Sequence, residues 1–231
     1  MRIRMLGGTL ALLCVIVLSM PPCGVGAQDK TEAKPTKKKI VAPYPIDHAK
    51  PLEANEKVVN EADNHTQYRV EFRGIKDDRV PAYLYVPRRK GAPAKDLPAI
   101  LLQYGSGGNK TSGYIVEIGK LFAARGYVVL TIDSPNQGER RKKDNKVGLL
   151  GLLGADQVMH YCGDYCRAVD FLESRPEVDK KRLGFVGISW GAITGITYVA
   201  YDQRIKAVGS MVGGGNFLGM YTKKEAEKAA A

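Results

Sequence analysis

Residues 182–192, which read RLGFVGISWGA, decide the fold of this chain. An apolar run leads to a serine between two glycines, and an apolar segment over 192–200 follows at once. The pattern predicts a buried strand, a tight turn at Ser189 and a helix. Such a turn strains the serine backbone and raises its hydroxyl above the carboxyl edge of a sheet. Gly187 and Gly191 would let the strand and the helix approach closely.

The flanking sequence alternates between strand and helix patterns. Period-two alternation predicts a hairpin of strands over 66–73 and 80–86. Besides 182–188, further apolar runs are typical of strands buried on both faces: 98–103, 127–132 and 205–212. Helical spacing predicts helices over 114–125, 158–172 and 192–200. The chain is therefore predicted to be an α/β protein, with a mostly parallel sheet, helices on both faces and an antiparallel N-terminal hairpin at the sheet edge.

A glycine-rich loop, YGSGG over 104–108, follows the first of the apolar runs. Attack by a serine on an acyl carbonyl produces an oxyanion, which needs preorganised N–H donors. We expect one donor to be the backbone N–H of Trp190, directly after the serine, and the other to be that of Gly105 or Ser106. The side chain of Trp190 would either line an acyl pocket or pack beneath the loop.

Four stretches together resemble α/β hydrolases of the dienelactone hydrolase, acetyl xylan esterase and prolyl-oligopeptidase-like group. They are YGSGG (104–108), DSPNQGER (133–140), RAVDFLESRPEVDKKRLGFVGISWGA (167–192) and MVGGGNF (211–217). The resemblance implies a serine hydrolase that cuts esters, often on plant polysaccharides, or peptides, and that uses no cofactor. Tyr104 stands where the family's HGxGG loop has histidine. We expect Asp133, Glu139 and Arg140 to fix the loop after their strand rather than to act in catalysis.

The sequence after Ser189 lacks the rest of a catalytic triad. A serine nucleophile needs a base that an acid orients, and in this fold they follow in the order Ser, acid, His. Asp202, Glu225 and Glu227 follow the serine, but no histidine does. Asp202 precedes the last predicted strand and the two glutamates lie in a Lys- and Ala-rich tail, so we assign none as the acid.

All three histidines precede the serine, and none is assigned as its base. His160 lies on a helix over a sheet face, while His48 and His65 precede the first predicted strand. We expect the strands that carry the acid and the histidine to be absent, which leaves the fold incomplete at its C-terminus. Two classes remain open: a secreted serine esterase, with a peptidase as a lesser alternative, and a catalytically inactive fragment or pseudoenzyme.

The N-terminus predicts export. Arg2 and Arg4 precede an apolar segment over 6–20, which is short for a membrane span. Small residues up to Ala27 fit signal-peptide cleavage after that residue. We therefore predict a signal peptide over 1–27 and a secreted or periplasmic protein without a stable membrane span, and an anchor through 6–20 is the alternative.

The chain carries a formal net charge of +11, from 35 Lys and Arg against 24 Asp and Glu. Lysines are frequent over 28–60, whose composition predicts a disordered, solvated linker before a hydrolase domain over 61–231. No aromatic residues interleave with the basic ones, so nucleic acid is not an expected partner. The expected partner is an ester, either a small molecule or linked to a polysaccharide.

Two further features bear on the fold. Cys162 and Cys166 stand four apart on a predicted helix, where a disulfide would be strained, so we expect two unbridged, half-buried side chains. No cluster of cysteine and histidine predicts a metal site.

A sheet that ends at 205–212 would expose an apolar edge, through which the chain could self-associate.

Overall fold

The computed structural model describes residues 46–88, 94–142 and 155–213. Within them one seven-stranded sheet carries three α-helices. The strands are β1 (Asn55–Glu61), β2 (His65–Arg73), β3 (Arg79–Pro87), β4 (Leu97–Gln103), β5 (Val128–Ile132), β6 (Val178–Ile188) and β7 (Ile205–Met211). The helices are α1 (Gly113–Ala124), α2 (Ala155–Ser174) and α3 (Trp190–Tyr201), and a short 3-10 helix spans Gly138–Arg140.

The strand order is β1-β2-β3-β5-β4-β6-β7. The pairs β1–β2, β2–β3 and β3–β5 are antiparallel. The pairs β5–β4, β4–β6 and β6–β7 are parallel. The predicted α/β class is thus confirmed, with a parallel half joined to an antiparallel half. β5 lies on one side of β4 and β6 on the other, and open α/β sheets bind ligands at the carboxyl ends of the strands where the strand order switches in this way.

Two apolar layers cover the two faces of the sheet. On one face α1 buries Ile115 and Ala123 against Tyr85, Ile100 and Val129. On the other face α2 and α3 pack over alternate residues of the same strands, among them Leu101 and Phe185. Helices on both faces are therefore confirmed, and they follow from the near-continuous apolar runs of β4 and β5.

The predicted disordered linker over 28–60 is wrong at its C-terminal end. Asn55–Glu61 forms β1, which pairs with β2 in register from Asn55 opposite Glu71. All seven residues of β1 are exposed, so the strand shows no apolar alternation and is held by backbone hydrogen bonds. β1, and not the β2–β3 hairpin, forms this edge of the sheet. Residues 28–45 lie outside the described part of the chain.

The segment before β1 also belongs to the domain. The guanidinium of Arg167, on α2, is buried and donates to the backbone carbonyls of Asp47, His48 and Lys50. A buried guanidinium needs such acceptors, because burial removes the water molecules that its N–H groups would otherwise bond to. The domain therefore begins at or before residue 46 and not at 61.

The prediction that 205–212 is a buried strand is also wrong. β7 ends the sheet among the described residues, and none of its residues is buried. Its apolar side chains are open to solvent, with Val208 52% exposed. An apolar edge is thus present, while self-association through it remains a prediction.

Cys162 and Cys166 form no disulfide, as predicted, but both are fully buried rather than half-buried. Burial raises the pKa of the Cys166 thiol, so the group stays protonated. They serve as small apolar residues in the α2 layer of the core.

Among the described residues no helix has both the length and the apolar character that a bilayer crossing requires. The predicted signal peptide over 1–27, cleavage after Ala27 and the alternative anchor over 6–20 lie outside the described residues.

The core model predicts a clear contrast between two leucines. Leu101 is fully buried in β4, whereas Leu121 on α1 is 50% exposed. Leu101→Ala should lower the free energy of unfolding by about 2–5 kcal/mol, because it leaves a cavity in the packed layer. Leu121→Ala should change it by less than about 0.5 kcal/mol. Urea unfolding of both variants measures this, and equal losses would contradict the assigned core.

Candidate active site

Ser189 is the single residue between β6 and α3. It has φ 50° and ψ −115°, a conformation that non-glycine residues rarely adopt and that costs about 1–3 kcal/mol. Its N–H donates to the carbonyl of Met211 at 2.7 Å, and its own carbonyl accepts from Ala192 and Ile193 at 2.9 and 3.0 Å. The predicted strand, tight turn and helix are therefore confirmed, and the hydrogen bonds from β7 and α3 hold the strain.

The two glycines beside the serine are required by space. A Cβ on Gly187 would lie 2.5 Å from the carbonyl oxygen of Gly191. A Cβ on Gly191 would lie 2.5 Å from the carbonyl oxygen of Tyr104 and 2.8 Å from that of Gln103. Since real Cβ atoms are not found this close to backbone, any side chain would push α3 away from the end of β4.

The glycine-rich loop after β4 lies directly against the serine. A Cβ on Gly105 would lie 3.3 Å from the Cβ of Ser189. The N–H of Gly108 donates to the Gly105 carbonyl at 3.1 Å and closes the loop. The two expected loop donors differ in their surroundings: the Gly105 N–H donates to the Tyr114 hydroxyl at 2.9 Å, whereas Ser106 is exposed.

A buried polar layer lies beneath the serine turn. The Thr194 hydroxyl donates to the Trp190 carbonyl at 2.9 Å, accepts from the Gln103 amide at 2.9 Å and lies 3.1 Å from the Tyr161 hydroxyl. The side chain of Trp190 is buried, and it borders a cavity with room for about one water molecule. Trp190 thus packs in the core and lines a small cavity whose lining does not include Ser189.

Tyr104, which replaces the histidine of the HGxGG pattern, joins two loops. Its hydroxyl is buried and accepts the N–H of Ser134 at 2.7 Å, so the loop after β4 is tied to the loop after β5. Burial raises the pKa of Tyr104, so its hydroxyl stays protonated near neutral pH. Its hydroxyl thus holds the backbones of these two loops together.

The loop after β5 is fixed by the charged residues that were predicted to do so. The buried carboxylate of Asp133 accepts the backbone N–H of Lys110 at 3.0 Å, the Lys110 ammonium at 2.6 Å and the N–H of Glu139 at 2.9 Å. Burial favours the neutral form of Glu139, but its bonds to Arg69 and Lys110 outweigh this and lower its pKa. The structural role predicted for Asp133 and Glu139 is confirmed.

Arg140 is the centre of a second ionic network. Its guanidinium lies 2.5 Å from the carboxylate of Asp78, 2.7 Å from that of Asp164 and 3.2 Å from Nε2 of His160. Ligand atoms of Asp78, His160 and Asp164 lie within 4.8 Å of one another, as those of a metal site would. The single guanidinium offsets one of the two carboxylate charges, and its donors already occupy oxygens of both carboxylates, so we read the cluster as a structural ion-pair network.

All three histidines lie within the described residues, and each has a partner other than the serine. Nδ1 of His48 lies 2.8 Å from the Asp170 carboxylate, Nδ1 of His65 lies 2.7 Å from the Asn64 side chain, and His160 belongs to the Arg140 network. None of these histidines hydrogen-bonds to Ser189.

Of the candidate acids after the serine, Asp202 is the one within the described residues, and it is remote from Ser189. Asp202 ends α3 and pairs with Arg204 at 2.7 Å. Ser189 caps the opposite end of this 12-residue helix, so Asp202 lies about 18 Å from it along the axis. Glu225 and Glu227 lie outside the described residues. The described acids therefore include none that could orient a base beside Ser189 by the usual chain order.

With this geometry in place, comparison with known proteins gives the family. The model of the acetyl xylan esterase family (AXE1) matches residues 47–224, most of the chain. The chain belongs to the acetyl xylan esterase family.

The chain is also similar in sequence and in structure to individual proteins. YtaP of Bacillus subtilis (strain 168) is 30% identical over 146 residues, which cover 56% of this chain and 46% of YtaP. The acetyl xylan esterase from Paenibacillus sp. R4 superposes with a TM-score of 0.58 at 24% identity, over 70% of this chain and 54% of that one. Acetyl xylan esterase 1 from Thermoanaerobacterium sp. JW/SL YS485 gives 0.59 at 20% identity, over 71% and 53%. The chain spans about half the length of these relatives, and the structural matches show a shared α/β-hydrolase fold.

One residue of the site was missed in the sequence. Tyr114 lies in the first turn of α1, and its hydroxyl reaches back to the backbone of Gly105. A lone tyrosine at a helix start carries no local pattern that predicts such a contact. The short chain between the loop and α1 was the available signal, because it keeps the helix N-terminus near the loop.

The Arg140 network yields a testable pH dependence. Arg140→Met should lower the free energy of unfolding by about 3–5 kcal/mol near neutral pH, because it leaves the fully buried Asp164 carboxylate without its partner. Burial already raises the pKa of Asp164, and the substitution should raise it further. The folded variant then holds a proton that the unfolded chain, with a carboxyl pKa of about 4, has released. Its deficit should therefore shrink as the pH falls from about 7 to about 5.

Arg141→Met is the matched control, since Arg141 is adjacent and exposed. It should change the free energy of unfolding by less than about 0.5 kcal/mol at either pH. Urea unfolding at both pH values measures the two variants. A deficit of Arg140→Met that grows on acidification would contradict the assigned pairing with Asp164.

Proposed function

We propose that this protein is a serine carboxylic-ester hydrolase in which Ser189 attacks the acyl carbonyl and forms an acyl-enzyme. The observation that carries this proposal is the strained Ser189 backbone between β6 and α3, with Gly105 packed against it. A serine held at φ 50° by surrounding hydrogen bonds has no evident structural purpose, whereas a nucleophile gains a raised, accessible hydroxyl. Membership of the acetyl xylan esterase family supports ester hydrolysis.

In the proposed reaction the Ser189 oxygen adds to the carbonyl carbon, and the carbonyl oxygen becomes an oxyanion. The N-terminus of α3 lies at the serine, and its positive end favours this developing charge. The backbone N–H of Trp190 and one from the loop after β4 would donate to the oxyanion. Collapse of this intermediate breaks the bond to the alkoxy group, which leaves as the alcohol with the proton that the Ser189 hydroxyl released. Water then hydrolyses the acyl-enzyme to the carboxylic acid and restores the Ser189 hydroxyl.

The substrate we propose is an ester of a short acyl group, on a small molecule or linked to a polysaccharide. Membership of the acetyl xylan esterase family supports a short acyl group such as acetyl. Relatives with a similar fold are named as acetyl xylan esterases. The basic and apolar N-terminal sequence supports export of the protein, with cleavage after Ala27.

A specific observation also favours a catalytically inactive protein as the second candidate. Each of the three histidines bonds to a residue other than Ser189. A serine without a base retains only its oxyanion hole and binding, worth about 10³–10⁴ over the reaction in water. The two candidates therefore differ in rate by several orders of magnitude and can be separated by one assay.

The assay is hydrolysis of p-nitrophenyl acetate by the full chain, by Ser189→Ala and by Ser174→Ala. Ser174 is an exposed serine at the end of α2 and serves as the matched control. The esterase proposal predicts turnover by the full chain and by Ser174→Ala that Ser189→Ala abolishes, because the nucleophile is gone.

Circular dichroism of both variants checks that the fold is intact. Turnover that persists in Ser189→Ala would contradict the proposed nucleophile. No turnover above background in any of the three proteins would favour the inactive protein. Hydrolysis of a dipeptidyl p-nitroanilide in preference to the acetate would instead favour a peptidase.

A further inference from the structure

The Tyr114 hydroxyl lies inside the glycine-rich loop rather than on the surface of α1. It accepts the N–H of Gly105 at 2.9 Å. A Cβ on Gly108 would lie 2.9 Å from the same hydroxyl oxygen and 3.1 Å from the Gly105 carbonyl oxygen, so a side chain there would have to displace one of these groups. The loop 104–108 therefore turns around this hydroxyl, and glycine at position 108 leaves the contact undisturbed.

The same hydroxyl lies close to the proposed nucleophile. A Cβ on Gly105 would be 3.6 Å from the Tyr114 oxygen and 3.3 Å from the Cβ of Ser189. The ring of Tyr114 contributes little to the core, because the residue is 44% exposed. Its contact with the loop is therefore made by the hydroxyl, at the point where the loop meets the serine.

This contact distinguishes the two backbone groups that could serve as the loop's oxyanion donor. The Gly105 N–H is already used by the Tyr114 oxygen. The N–H of Ser106 is the next along the loop, and the exposed Ser106 makes no hydrogen bond with the rest of the described chain. A backbone donor that is not committed elsewhere can accept a developing negative charge without first breaking a bond.

We infer that Tyr114 is a positioning residue of the oxyanion loop: its hydroxyl holds Gly105 and thereby assigns the loop's oxyanion donor to the Ser106 N–H. This rests on the proposed function, in which Ser189 attacks an acyl carbonyl. Tyr114 touches neither the substrate nor the reacting atoms; it acts through the backbone of the loop. Without the hydroxyl, the Gly105 N–H loses its acceptor and the loop loses the group around which it turns.

Tyr114→Phe tests the inference, because it removes the hydroxyl and keeps the ring. Tyr127→Phe is the matched control, since Tyr127 follows the opposite end of α1. In the full chain, NMR should show that exchange of the Gly105 amide hydrogen speeds up about tenfold in Tyr114→Phe and is unchanged in Tyr127→Phe, as expected for loss of one hydrogen bond. With p-nitrophenyl acetate, kcat should fall about tenfold or more in Tyr114→Phe while KM stays the same, since only the transition state uses the oxyanion donor.

A covalent probe locates the donor directly. Diethyl p-nitrophenyl phosphate would phosphorylate Ser189 and place a phosphoryl oxygen where the oxyanion forms, with p-nitrophenol as the leaving group. We expect the Ser106 amide signal to move on phosphorylation and the Gly105 signal to stay. A shift at Gly105 instead, or a rise in kcat for Tyr114→Phe, would overturn the inference, because the hydroxyl would then be a plug on the Gly105 donor.

The proposed function can fail while the inferred contact of Tyr114 with Gly105 holds, and different measurements show the two failures. If the chain neither hydrolyses the acetate nor reacts with the phosphate, the proposed function fails. The exchange measurement still decides the contact in that case. Faster exchange of Gly105 in Tyr114→Phe supports it, and unchanged exchange overturns it.

Discussion

The close approach of α3 to the ends of β4 and β6 is the constraint on which the site depends. Only glycine fits at positions 187 and 191, because a Cβ on Gly187 or Gly191 would lie 2.5 Å from a backbone oxygen. This contact leaves Ser189 alone to reverse the chain direction, at φ 50°. The Met211 carbonyl on β7 then accepts the N–H of the strained residue. The strained conformation is maintained because β4, β6, β7 and α3 fix the backbone on both sides of the turn.

The loops around the serine are held by buried polar groups rather than by apolar packing. Tyr104 links the loop after β4 to that after β5, and Asp133 and Arg140 bind the latter to Lys110 and to α2. A buried polar group that lost its partner would cost about 1–3 kcal/mol, and a buried charge more. The loops are thus held in one arrangement, which is what a preorganised oxyanion site requires. The Tyr114 contact follows the same rule within the loop itself.

The parallel half of the sheet and the serine turn could be predicted from the sequence, because both depend on local patterns. The apolar run of β4 and the motif around Ser189 specify burial and a tight turn without reference to distant residues. β1 and β7 could not be predicted correctly, because both lie at the edges of the sheet that the described residues form: β1 is paired but uncovered, and β7 is apolar but exposed. Apolar pattern indicates which residues favour burial, but it does not indicate where the sheet ends.

The side-chain contacts of the site could not be predicted from a sequence pattern either. The Tyr114 hydroxyl and the pairing of Arg140 with Asp164 join residues through the fold, and neither residue type is unusual at its position. The histidines, by contrast, could be judged from chain order, and each is found with another partner. The central claim is therefore that the geometry at Ser189 makes it a nucleophile, which is separable from how fast the chain turns over.

Trapping the acyl-enzyme tests that claim most directly. The full chain is mixed with p-nitrophenyl acetate, quenched in acid within milliseconds to seconds, and digested for tandem mass spectrometry. The account predicts one acetyl group on the peptide that carries Ser189, located on the serine itself, and none on that peptide after prior reaction with diethyl p-nitrophenyl phosphate. Acetylation confined to exposed lysines, with Ser189 unmodified, would contradict it.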